Sequence, residues 1–91
     1  MRHADLPGAS LVAAGIEDLR RGAETIPALL VSIGAPRLRR LGYAVPPATA
    51  PDPEQRLYAL LARENTDTAH GRYNALVRRL VSFERAAESL R

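Results

Sequence analysis

Apolar residues recur at intervals of three and four along most of this chain, which is the period of an amphipathic helix. No segment alternates apolar and polar residues with the period of two that a half-buried strand requires. The pattern therefore predicts an all-α protein. Combined with the turn residues that separate the stripes, the pattern predicts helical segments at about 8–21, 25–33, 36–41, 53–64 and 68–90.

Glycine and proline residues mark the predicted ends of the first segments. Gly22 follows the first apolar stripe and is expected to cap a helix at C′. Gly34 lies just past the last apolar position of the second stripe, which predicts a helix of about two turns. Pro36 then begins a short helical segment that Gly42 closes. Gly15 lies beside the first apolar stripe, where it either lets another helix approach closely or has no packing role.

Residues 45–52 contain three prolines and predict an extended, polyproline-like linker. The next helix has a well-marked start. Asp52 is expected as its N-cap and Pro53 at its first position, with Gln55 completing a capping-box pattern. Together the segments predict a small four-helix bundle with one longer connection.

The last segment is the longest, at about 34 Å, and its partners of two to four turns are too short to cover it fully. Part of its apolar stripe is therefore expected to bind a second copy of the chain or a helix of another protein. The alternative is that the second and third helices cover it. The expected interface consists of Tyr73, Leu76, Val77, Leu80 and Val81.

The length of 91 residues allows a single domain over 1–91, in which about 60 to 65% of the unfolded surface can be buried. Residues 1–6 are expected to be disordered. The chain has no cysteine, no apolar signal-peptide core at its start and no apolar run long enough for a membrane span. These features predict a bacterial-type cytoplasmic protein that does not bind membranes.

Every basic side chain other than the two histidines is an arginine, 13 in all, and the formal net charge is +3. Guanidinium groups suit phosphate recognition, so nucleic-acid binding without sequence specificity is one hypothesis. Six of the arginines form three pairs that directly follow an apolar residue, at 20–21, 39–40 and 78–79. The alternative is therefore a solvated rim beside each apolar stripe. The residues expected to bind nucleic acid are Arg37, Arg39, Arg40, Arg78 and Arg79.

Few residues suggest chemistry. No phosphate-binding loop, dinucleotide-binding motif or zinc motif is present, so the sequence predicts no metal site and no cofactor. The serines have no histidine nearby in sequence. Glu84 and Glu88 share a helix face and are expected to form an ordinary solvated edge.

Arg63 and His70 are separated by six residues, and His70 falls in the first turn of the last helix. This arrangement resembles the R-x(4 to 6)-H motif of the HEPN superfamily, helical-bundle proteins that include RNases of toxin–antitoxin systems. The resemblance, which covers these two residues, implies that His70 takes part in RNA cleavage and that Arg63 supports it. The alternative is a neutral histidine at a helix start.

The sequence therefore favours a non-enzymatic interaction protein that self-associates or binds a protein partner through its last helix. Two other functions stay open: an RNase that uses Arg63 and His70, and a nucleic-acid-binding protein that uses the arginine clusters.

Overall fold

The computed structural model describes residues 3–90, and within that range it contains four α-helices and no strand. A short 3-10 turn, His3–Asp5, precedes them. The all-α class and the small four-helix bundle are confirmed. The helices are α1 (Ala9–Arg20), α2 (Ile26–Arg40), α3 (Pro53–Glu64) and α4 (Ala69–Ser89).

Helix α2 is the centre of the bundle because it packs against each of the other three helices. Helix α3 also packs against α4, and the 3-10 turn packs against α1. Three of the largest fully buried side chains come from α2, which explains its run of apolar residues on more than one face. These side chains are Phe83, Leu30, Leu38, Leu57, Leu61 and Val31.

The predicted break between 25–33 and 36–41 is wrong, because α2 continues through both segments as one helix. Gly34 does not cap a helix: it is buried inside α2, where α4 passes close to it. Pro36 lies within the helix and lacks the N–H that would bond to the carbonyl of Ser32. The burial of Ala35 and Leu38 on the core side offsets this missing hydrogen bond.

The C-terminal glycines of α1 and α2 are where the sequence predicts them. Gly22 has a φ of 71° and Gly42 a φ of 101°, a region that residues with a Cβ rarely adopt. The Ala23 N–H donates to the carbonyl of Asp18 at 2.9 Å, and the Tyr43 N–H donates to that of Leu38 at 3.1 Å. Both helices therefore end in a Schellman motif.

The capping box expected at Asp52 and Gln55 is not formed. Asp52 is the N-cap residue of α3, but its side chain makes no capping hydrogen bond. Its backbone angles, φ −130° and ψ 64°, lie outside the extended region from which an N-cap side chain reaches the first-turn amides.

The linker and the N-terminal segment both pack on the bundle. Arg39 holds the linker, since its guanidinium donates to the carbonyls of Val45 and Pro46 at 3.1 to 3.2 Å. Of the segment 1–6, which was expected to be disordered, residues 1 and 2 lie outside the described residues. His3 hydrogen-bonds to the hydroxyl of Tyr43, and Leu6 is buried in the core.

Gly15 lies at a close approach of α1 to α2. A Cβ at this position would be 2.3 Å from the carbonyl oxygen of Pro27 and 2.4 Å from Cγ2 of Val31. The first of these atoms belongs to the backbone, which cannot move without displacing the helix. The sequence left open whether Gly15 lets another helix approach closely, and the structure shows that it does.

We expect Gly15→Ala to lower the free energy of unfolding by about 1 to 3 kcal/mol, because the added methyl group forces α1 away from α2. Gly71→Ala is the matched control: it lies in α4 with no atom within 4 Å of its added Cβ. It should raise the same quantity by about 0.5 to 1 kcal/mol through helix propensity. Urea unfolding measures both changes. If Gly15→Ala is as stable as the natural protein, the close contact between α1 and α2 is absent.

Candidate functional site

A groove of about 250 Å³ runs between α2 and α4 on the surface of the bundle. We call it the α2/α4 groove. Its charged lining consists of Arg37, Arg40 and Glu84. Its apolar lining combines two residues of α2 with three of the five residues predicted for the interface, namely Ile33, Pro36, Val77, Leu80 and Val81.

Gly34 allows the two helices to approach each other at the floor of this groove. A Cβ at this position would lie 2.9 Å from Cδ2 of Leu80 and 3.0 Å from Oε2 of Glu84. Any larger residue would therefore push these two side chains of α4 outwards. Glu84 can therefore lie against α2 because Gly34 has no side chain.

Glu84 is the one buried charged residue among residues 3–90, and only 4% of its side chain is exposed. Its Oε1 lies 3.5 Å from Nη1 of Arg37, whereas its Oε2 is buried with no hydrogen-bond partner. Burial raises the pKa of the Glu84 carboxyl above its ordinary value, and the Arg37 guanidinium opposes part of that rise. An unpaired buried carboxylate oxygen destabilises the folded state, so this position differs from the rest of the core.

The expectation that Glu84 and Glu88 form a solvated edge is wrong for Glu84. Glu84 lies one heptad after Val77, on the flank of α4 that faces α2. The seven-residue spacing from Val77 was the sequence signal that Glu84 faces α2. Its burial could be predicted from that spacing only if α4 was known to pass close to Gly34. Glu88 is exposed, as expected, and accepts a 2.6 Å hydrogen bond from Nε of Arg37.

The residues predicted for the interface divide into two groups. Leu80 belongs to the core, with 3% of its surface exposed, and Tyr73 and Leu76 pack against the core. The Tyr73 ring lies 5.8 Å from that of Tyr58 in α3. Val77 and Val81 are half-buried and line the α2/α4 groove together with Leu80, and Val77 also packs against the core.

The five arginines predicted to bind nucleic acid do not share one face. Arg37 is engaged by the two glutamates of α4, and Arg39 holds the linker. Arg40 lines the groove. Arg78 donates from Nε to the carbonyl of Asn74 in its own helix at 3.4 Å. Arg79 lies two residues from the groove residue Val81, about 160° around the helix axis.

Arg63 and His70 are not brought together in one cleft. Arg63 lines a depression that also contains Glu24 and Arg56. The His70 ring lies 6.4 Å from that of Tyr58, and the residues lining the depression do not include it. Along α3, Tyr58 and Arg63 are five residues apart, about 140° around the axis. The Arg63 and His70 side chains therefore lie on different faces of the bundle.

A second cavity, of about 330 Å³, lies beside α1 and is almost wholly apolar. Val12, Ile16, Tyr43 and Phe83 contribute to its wall, together with His3. Sequence analysis missed this cavity because it depends on the N-terminal turn packing over Tyr43. No unpaired buried side-chain polar atom of the described residues faces it, since Glu84 holds the one such atom.

Two further searches of residues 3–90 gave negative results. No three histidine, aspartate or glutamate side chains lie close enough together to hold a metal ion. None of the helices in this range has the length and apolar character that crossing a membrane requires.

Comparison of the chain with protein families, with curated proteins and with solved structures gave no match. The interpretation of the groove therefore depends on its own geometry.

The buried carboxyl predicts a pH dependence of stability. Burial raises the pKa of Glu84 in the folded state above its ordinary value of 4.5. Well below pH 4.5 the group is neutral in both states, and as the pH rises its ionisation costs stability in the folded state. Glu84→Gln removes this titration while keeping the shape. The free energy of unfolding of the variant, relative to the natural protein, should therefore increase from pH 4 to pH 7.

Urea unfolding at the two pH values, at one protein concentration, measures this change. Glu54→Gln, which removes an exposed carboxylate in the first turn of α3, is the control for the loss of charge alone. An equal difference between Glu84→Gln and the natural protein at both pH values would contradict the burial of the carboxylate.

Proposed function

We propose that this chain is a non-enzymatic cytoplasmic interaction protein and that it self-associates into a homodimer through the α2/α4 groove. The observation that carries the proposal is the composition of the groove. Apolar side chains of two helices form a strip in the groove beside the buried Glu84. A helix seated on the strip would cover the half-buried Val77 and Val81.

The size of the groove argues against a small molecule as its occupant. Its volume of about 250 Å³ lies below the range of about 300 to 1,000 Å³ that is usual for small-molecule pockets. Its apolar lining is accompanied by Arg37, Arg40 and Glu84, and charged residues beside an apolar strip are typical of protein interfaces.

The positions of the other candidate residues support a role without catalysis. Arg63 and His70 belong to different faces, so they offer no common place for an RNA phosphate. Arg37 and Arg39 already bind acceptors within the chain, and this favours the solvated-rim interpretation of the arginine clusters over nucleic-acid binding.

Sedimentation equilibrium tests the proposal. The natural protein should show a mass of twice its 9.9 kDa at micromolar to millimolar concentrations. Val81→Arg should shift it to a monomer with unchanged helix content, because the variant places a charge in the centre of the interface. Ala75→Arg adds the same charge to an exposed position of α4 and should stay dimeric.

A natural protein that stays monomeric throughout this range would overturn the proposal. A monomer that binds RNA or DNA, with an affinity that falls steeply as salt is added, would instead favour the nucleic-acid alternative.

A further inference from the structure

The cavity beside α1, which we call the α1 cavity, draws its wall from separate parts of the chain. The 3-10 turn supplies His3, α1 supplies Val12 and Ile16, the segment after α2 supplies Tyr43, and α4 supplies Phe83. Val12 and Phe83 are almost fully buried, whereas Ile16 and Tyr43 are half-buried. The deeper part of the wall therefore consists of core side chains.

The N-terminal part of this wall is held in place by its own contacts. Leu6 is buried in the core, and its N–H donates to the carbonyl of His3 at 3.1 Å. The His3 ring in turn hydrogen-bonds to the Tyr43 hydroxyl. Gly8 lets the start of α1 lie on α4, since a Cβ there would be 3.4 Å from that of Phe83. The α1 cavity is therefore formed by the folded chain itself, as small-molecule sites usually are.

The polar groups around the α1 cavity are paired with one another. Glu17 and Arg20, which both line it, form an ion pair at 3.2 Å, and His3 is bonded to Tyr43. A charged occupant would therefore lose its hydration without meeting an unpaired charge of the opposite sign. This pairing favours an uncharged ligand.

Three of the lining side chains are rings in mutual contact. The Tyr43 ring lies 5.7 Å from that of His3 and 5.7 Å from that of Phe83, centre to centre. The rings of His3 and Phe83 are 6.5 Å apart and nearly perpendicular, at 87°. Tilted and edge-to-face ring pairs attract each other beyond the effect of the area they bury. A flat aromatic molecule would extend this cluster by the same kind of contact.

The size of the α1 cavity limits the number of rings. Its volume of about 330 Å³ falls in the range of about 300 to 1,000 Å³ that is usual for small-molecule pockets. A cavity of about 150 Å³ is enough for one benzene ring. The α1 cavity has roughly twice that volume, which suits a molecule of two fused rings.

We infer that the α1 cavity binds an uncharged molecule with two fused aromatic rings, which lies against the rings of Tyr43 and Phe83. The inference goes beyond the proposed self-association and does not depend on it, because the α1 cavity and the α2/α4 groove have no lining residue in common.

A titration with 2-naphthol, which is uncharged at neutral pH, tests the inference on the natural protein labelled with ¹³C. Saturable shifts of methyl resonances are expected, with nuclear Overhauser effects from the naphthol ring to the methyl groups of Val12 and Ile16. Two probes of the same carbon skeleton serve as controls. The anion 2-naphthoate and the saturated decahydro-2-naphthol should each bind about tenfold more weakly.

Two pairs of variants locate the site. Ala13→Phe places a ring at the exposed edge of the α1 cavity and should weaken 2-naphthol binding by about tenfold or more, because it fills the space of the ligand. Ala14→Phe, at an exposed position of α1 that does not line the cavity, should leave the affinity unchanged. Tyr43→Leu removes a ring and should weaken binding by about threefold, whereas Tyr43→Phe keeps the ring and the affinity. Circular dichroism checks that each variant keeps its helix content.

Each part of the inference has its own contrary result. No saturable binding of 2-naphthol, or Overhauser effects confined to the groove residues Val77 and Val81, would overturn the site. Equally tight binding of 2-naphthoate would overturn the preference for an uncharged ligand. Equally tight binding of decahydro-2-naphthol, or equal affinities of Tyr43→Leu and Tyr43→Phe, would overturn the preference for aromatic rings.

Discussion

The contact of α2 with three helices at once is the constraint on which the rest of this structure depends. A helix in that position needs small residues where its neighbours cross it, and two glycines meet this need. Gly15 on α1 lets the Pro27 carbonyl of α2 approach, and Gly34 on α2 lets Leu80 and Glu84 of α4 approach. The bundle is therefore held by close approach at two points as well as by its apolar core.

The same close approach creates the candidate site. Because Gly34 has no side chain, α4 lies near enough to α2 to bury Glu84 between them, and Arg37 can satisfy only part of that carboxylate. Burying a carboxylate without full compensation costs stability. Val77 and Val81 lie half-buried beside it and line the same groove.

Local patterns predict the helices well, because amphipathic periodicity and the glycines at 22 and 42 act within a single turn. The errors concern residues whose role depends on distant parts of the chain. Gly34 resembles a cap in sequence but serves a contact with α4, some fifty residues away. Without knowledge of the contact between Gly34 and α4, the sequence around Glu84 has the pattern of a solvated edge. That Arg63 and His70 lie on different faces likewise follows only from the packing of α3 against α4.

The central claim is that two copies of the chain associate through the α2/α4 groove, and one measurement addresses it directly. A sample mixed from ¹³C-labelled and unlabelled chains allows isotope-filtered nuclear Overhauser effects to be recorded between copies alone. The account predicts such effects from the methyl groups of Val77 and Val81, which line the groove. Intermolecular effects confined to other methyl groups, or none from any part of the chain, would contradict it.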